Sequence, residues 1–187
     1  YINGVEKMKV LILNGSPRIN GNTKTALKAA AEGIIENCEH DVEMIDVAKY
    51  NVKGCMACEG CRKTGGVCVI KDDGNTLAEK IYEADVVIFG SPVYWWGITA
   101  QMKAVIDRIY CKNETLNQLK KKIGIIAVGA AELSDREYEL ISGQFECICE
   151  YLNWDLVIDE KISAWAVGDL AKDEKKLSEL KELWRKI

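Results

Sequence analysis

The sequence has no block of consecutive lysines or arginines at either end, no long apolar run, only two prolines and a single histidine. Each shortage removes a class of protein. Nucleic-acid binding needs a basic footprint that neutralises phosphates, and a net charge of −4 with pI near 5.2 supplies none. The longest apolar stretches, Val86–Gly90 and Ile123–Ala131, fall far short of the ~20 residues that cross a bilayer, so no membrane partner is expected. No N-terminal pattern of charge, apolar core and cleavage site is visible. Tyr1–Lys7 reads as a polar lead-in, and the chain is expected to be cytoplasmic. There is no Pro-rich linker, internal repeat or low-complexity tract to divide the chain. The one histidine, His40, falls in a predicted surface turn and is expected to be idle.

What remains is a folding composition: 187 residues, 48% apolar and 29% charged, enough for one domain with a sizeable core. Apolar runs at Met8–Leu13, Val86–Gly90 and Lys122–Gly129 predict buried strands, while Asp41–Asp46 and Leu156–Ile162 alternate as outer strands do. Between them the spacing turns helical. Ala26, Leu27, Ala30, Ile34 and Ile35 mark a helix from Asn22, and Thr76–Ala84 and Ile98–Ile109 mark two more. The stripe from Tyr138 to Leu152 predicts another, and Leu177, Leu180, Trp184 and Ile187 a closing helix. Strands alternating with helices predict a doubly wound α/β fold with a five-stranded parallel sheet.

In such folds ligands sit beyond the carboxyl ends of the strands. The loop after the first strand, Asn14–Thr23, offers glycines for close backbone approach, donors at Ser16, Asn22 and Thr23, and positive charge at Arg18. The helix that follows would present free N–H groups to an anion. An ordinary strand–helix connection capped by Asn22 is the alternative. After the third strand, Gly90–Thr99 carries Tyr94, Trp95 and Trp96, a flat apolar surface suited to a planar ring, or else to a sheet edge or subunit contact.

Eight cysteines are many for a cytosolic chain, where metal or redox chemistry is a better reading than structural disulfides. Cys55, Cys58, Cys61 and Cys68 form C-x2-C-x2-C-x6-C, within an irregular stretch from Val52 to Gly74. Tetrathiolate coordination serves zinc and iron–sulfur clusters alike, and a redox-active or vestigial cysteine loop is a third reading. Gly65-Gly66 would allow the sharp reversal. Asp72 and Asp73 read as helix-capping residues, and Cys38, Cys111, Cys147 and Cys149 as packed thiols.

NGSPRINGNT after a first strand, SPVYWWG after the third and the compact cysteine segment together resemble the flavodoxin-like NAD(P)H-dependent FMN reductases, in the iron–sulfur flavoprotein branch. The resemblance runs to about Gly129 and is weaker beyond. It implies the flavodoxin-like strand order 2-1-3-4-5, one domain over 1–187 with a Cys-rich insertion at 52–74, and FMN as cofactor. By position Ser16, Arg18, Asn20, Asn22 and Thr23 would hold the FMN phosphate. Pro92, Val93, Tyr94, Trp95, Trp96 and Gly97, with Gly129, would meet the ring. The four cysteines would hold a 4Fe–4S cluster. The implied activity moves electrons from NAD(P)H to a small-molecule or protein acceptor, in a homodimer or homotetramer. A flavodoxin-type electron carrier without nicotinamide activity is the second function considered.

Overall fold

A computed structural model describes residues 7–187, and the remainder of the polar lead-in lies outside them. Five strands form one parallel sheet in the order β2-β1-β3-β4-β5. They are β1 (Lys9–Asn14), β2 (Asp41–Asp46), β3 (Val86–Pro92), β4 (Lys122–Gly129) and β5 (Asp155–Ser163). The expected doubly wound flavodoxin-like fold is therefore the observed one. The three inner strands are apolar because both faces are covered, and the alternating segments sit at the edges.

Long helices cover the sheet: α1 (Asn22–Asn37), α3 (Gly74–Glu83), α4 (Ala100–Arg108), α6 (Arg136–Leu152) and α7 (Glu174–Lys181); α2 (Gly60–Lys63) and α5 (Asn113–Leu116) are single turns. On one face α3, α4 and α6 bury Leu77, Ile81, Met102, Val105 and Phe145, whose ring meets Phe89 at 5.2 Å between centroids. On the other, α1 and the C-terminal segment bury Ala26, Leu27, Ile34, Leu180 and Leu183. The closing helix is shorter than its apolar spacing predicts. It ends at Lys181 and tightens into a 3-10 turn over Glu182–Lys186. Cys111 and Cys149 are packed as expected, but Cys147 is exposed on α6, because only one face of an amphipathic helix is covered. His40 is half-buried between α1 and β2, and its Nδ1 accepts a hydrogen bond from the Met8 amide at 3.3 Å.

The winding reverses between β1 and β3, whose carboxyl ends therefore open on a common crevice. Two details fix α1 and the strands beside it. The Asp46 carboxylate accepts from Asn14 Nδ2 at 3.0 Å and pairs with Lys24 and, at 3.2 Å, with Lys49. Burial alone would raise its pKa, yet the bonds from Lys24, Asn14 and Lys49 win and hold it at about 2. On the far side of α1, Gly33 lies so close to α7 that a Cβ there would stand 1.8 Å from the Lys181 carbonyl oxygen.

Two outcomes follow. Gly33→Ala lowers unfolding free energy by about 2 kcal/mol in urea titration despite alanine's better helix propensity, because backbone must move to admit the methyl. Asp46, depressed from 3.8 to about 2, contributes about 2 kcal/mol that is complete above pH 3.8 and fades as pH falls towards 2. Asp46→Asn should flatten that acid limb of the stability curve, and an unchanged limb would refute the assignment.

Candidate FMN cleft and cysteine hollow

The two loops leaving β1 and β3 are stitched to each other. The Gly15 amide donates to the Gly90 carbonyl at 2.8 Å, and the buried Thr99 hydroxyl donates to the Gly15 carbonyl at 2.7 Å. Thr99 also caps α4, accepting from the Met102 amide at 3.3 Å, while its own amide donates to Ser91 Oγ at 3.0 Å. Gly15 fits only as glycine, since a Cβ would lie 2.9 Å from Met102 and 3.1 Å from the Gly90 oxygen. These bonds make one cleft, of about 150 Å³, from segments that are far apart in sequence.

On one side the cleft is walled by Ser16, Arg18, Gly21, Asn22 and Thr23. Ser16 Oγ accepts from the Arg18 amide at 3.1 Å and donates to the Arg18 carbonyl at 3.2 Å, so the turn holds its shape. The N-cap of α1 is Gly21, not Asn22 as the alternative reading had it, and the first turn carries no acidic residue. Its leading N–H groups therefore face the cleft end without a built-in anion. Asn22 is committed elsewhere. Its Nδ2 donates to the Ala166 carbonyl at 2.8 Å and its Oδ1 accepts from the Gly168 amide at 3.0 Å, clasping the loop after β5. Asn20 is exposed and lies outside the cleft lining.

The other walls are Pro92, Val93 and Tyr94 from the β3 loop and Gly129 and Ala130 from the β4 loop. Trp165 and Val167 from the loop after β5 complete it. These last two were invisible in the sequence, where nothing distinguishes a wall residue from an ordinary connection. No lining residue is acidic. Trp95 and Trp96 do not line the cleft. Tyr94 and Gly97 close a tight turn by exchanging backbone hydrogen bonds of 2.9 and 3.1 Å. Both tryptophans then sit in left-handed backbone, at φ 49° and 58°, a conformation usually left to Asn or Gly. Their rings lean on each other at 6.1 Å, with Trp95 91% exposed.

The cysteine segment forms a separate site that shares no lining residue with the cleft. Ala57 and Glu59 adopt left-handed backbone, and Gly65 and Gly66 reverse the chain at φ 67° and 88°, as the glycine pair predicted. Asn75 pins Cys68, accepting from its amide at 2.8 Å and donating to its carbonyl at 2.9 Å. The four cysteines line one small hollow together with Arg108, Tyr110 and Cys111. Cys111 brings a fifth, buried thiol, raised in pKa by burial first and then by Cys68 and Cys61. Among the described residues no three His, Cys, Asp or Glu side chains converge as metal ligands. Asp72 does cap α3, through Gly74, but its larger role is an ion pair with Arg108 at 2.8 Å, each side chain 1% exposed. Burial would raise its carboxyl, yet Arg108 and the Lys53 and Gly74 amides hold it at about 2. Asp73 occupies the N-cap position without capping; its carboxylate instead accepts from the Asn51 amide at 2.7 Å.

Comparison with known proteins agrees with this geometry. The model of the NADPH-dependent FMN reductase family matches residues 8–140. An iron–sulfur flavoprotein of Methanocaldococcus jannaschii is 37% identical over 134 residues, covering 70% of this chain and 66% of that protein. The chain aligns with about half to two thirds of the length of the first iron–sulfur flavoproteins it matches. A Bacillus subtilis protein named as an NAD(P)H-dependent FMN-containing oxidoreductase is 27% identical, over 96% of this chain and 98% of its own. Among solved structures, an NAD(P)H:quinone oxidoreductase from Methanothermobacter marburgensis shares the fold, with TM-score 0.68, 19% identity and 96% of both chains covered. With its sheet order, its crevice and 133 consecutive residues accounted for, the chain belongs to the NADPH-dependent FMN reductase family, in the branch of its iron–sulfur flavoprotein relatives.

Proposed function

We propose that residues 1–187 form a single FMN-binding domain of an oxidoreductase, with 52–74 as its Cys-rich insertion, taking electrons from NAD(P)H or a reduced carrier and passing them to a small-molecule or protein acceptor. The observation that carries the reading is one acid-free cleft in which the start of α1 faces the loops leaving β3 and β4. FMN, when bound, supplies the exchange of electrons in pairs and singly. The chain's part is to bind and orient. Arg18, Ser16 and Thr23 hold the phosphate with the amides of the first turn of α1, where dipole and charge both favour a dianion. Asn22 contributes its amide only, its side chain being spent on the loop at 166–168. Pro92, Val93, Tyr94, Gly129 and Ala130 form the seat for the ring; Gly97 lies outside the cleft lining and closes the turn that places Tyr94. Trp95, Trp96 and Trp165, all exposed on the described chain, serve as its rim and as the contact of a homodimer or homotetramer. Eight free thiols speak for a reducing, cytoplasmic setting.

In the insertion, Cys55, Cys58, Cys61 and Cys68 hold a 4Fe–4S cluster. The donor set fits. All four thiols border one hollow, and beside them two buried nitrogens of Arg108 have no hydrogen-bond partner. Cys55 and Cys58 are exposed and Cys61 and Cys68 half-buried, so the cluster would be held at the mouth of the hollow rather than deep in the core.

Arg18→Ala raises the Kd for FMN about tenfold, since one charge-assisted bond at an exposed position is worth about 1.4 kcal/mol, as flavin fluorescence titration would read. Trp95→Gly relieves about 1–2 kcal/mol of left-handed backbone strain. The apoprotein's thermal midpoint then stays or rises while FMN affinity falls; a drop in both would refute a strained binding turn. Anaerobic mixing with NADH and NADPH tests the activity directly. Bleaching of the flavin absorbance is the expected result, and colour that persists with both nucleotides would mark a carrier instead.

A further inference from the structure

Arg108 is the last residue of α4 and is 2% exposed. One of its nitrogens is fully used, with Nη1 donating to the Lys53 carbonyl at 3.0 Å and to Asp72 Oδ2 at 2.8 Å. The other two, Nε and Nη2, are buried and have no hydrogen-bond partner. Native structures seldom leave such donors empty, and where they do the vacancy asks for a missing partner. Arg108 lines the same hollow as Cys55, Cys58, Cys61 and Cys68, with Cys68 among its nearest neighbours. Its position is built in. A Cβ on Gly74 would fall 2.6 Å from Cζ and 2.7 Å from Nη2, so only glycine leaves the guanidinium its room.

The neighbouring cation is differently employed. Arg62 is exposed and pairs with Glu59, and its Nη2 donates to the Tyr110 hydroxyl at 3.0 Å. Of the two, Arg108 is the one that combines burial, unused donors and a place in the hollow of the four cysteines.

We propose that Arg108 is the hydrogen-bond donor to the cluster, its Nε and Nη2 groups being made for the sulfur atoms held by the four-cysteine loop. This rests on the reading of that loop as a cluster site. A cluster with four thiolates is anionic and gains one more negative charge on reduction, so donors aimed at its sulfurs favour the reduced form and raise the potential. Asp72 balances the guanidinium charge, and the effect therefore comes from the directed N–H groups rather than from net charge.

The test compares anaerobically purified wild type with R108K and with the double variant R108M/D72N, which removes both buried charges together. Iron and acid-labile sulfide per chain give the loading, and a redox titration followed by EPR gives the cluster midpoint. In both variants the reduced-to-oxidised ratio at the wild-type midpoint should fall at least tenfold, ~59 mV for a one-electron couple. FMN content should stay the same. A variant that folds as wild type does but no longer retains iron also supports the assignment. Loaded variants with the wild-type midpoint would overturn it while leaving the cluster in place. So would unfolding of both apoproteins, which would give Arg108 to the fold alone. Wild-type protein without iron or sulfide after anaerobic reconstitution would sink the cluster reading itself, and this inference with it.

Discussion

Thr99 and Gly15 hold the molecule's business end together. A buried hydroxyl on α4 reaches across to the carbonyl that follows β1, and the neighbouring amide returns a bond to β3. Without that cross-stitch the two loops would be independent connections, free to drift as surface loops do. With it, the anion-facing turn and the flat apolar turn are one rigid body, and the start of α1 points into a space of defined width. The geometry comes from hydrogen bonds buried at the switch point of the sheet, where water cannot compete for them.

Much of this was readable in the amino acids. Inner strands covered on both faces must be apolar throughout, so Lys122–Gly129 announced itself, and Leu156–Ile162 showed an outer strand by alternating. Parallel strands joined by helices then leave little choice of topology. The cleft's first three walls were legible too, because they follow strands one, three and four. What escaped were pairings across long sequence distances. Asn22 looked like a ligand or cap because nothing local shows that its side chain would be claimed by backbone 144 residues away. Trp165 lies beyond β5 in a stretch with no distinguishing composition. Arg108 continues the apolar spacing of Met102 and Val105, and a charge at such a place was the one available hint that something acidic would meet it.

The cysteine insertion is organised on a different principle from the sheet. It has almost no apolar interior of its own, and its order is borrowed from polar anchors: Asn75 on Cys68, and Asp72 on Lys53, Gly74 and Arg108. A buried ion pair of this kind is a poor source of stability but a strict one of position, since either partner alone would be an uncompensated charge. The insertion is thereby fastened to α4, the helix whose first turn Thr99 caps, so both sites hang from one element.

The family match ends at residue 140, within α6, yet Trp165 and Val167 wall the cleft from beyond it. The cradle and the wall facing it thus come from distant parts of the chain; Asn22 clasps one to the other, and the Ala164 amide bonds to the Gly129 carbonyl beside them. One side chain at the start of α1 therefore fixes both the anion-facing turn and the wall opposite it, so a change at residue 22 would disturb the two together.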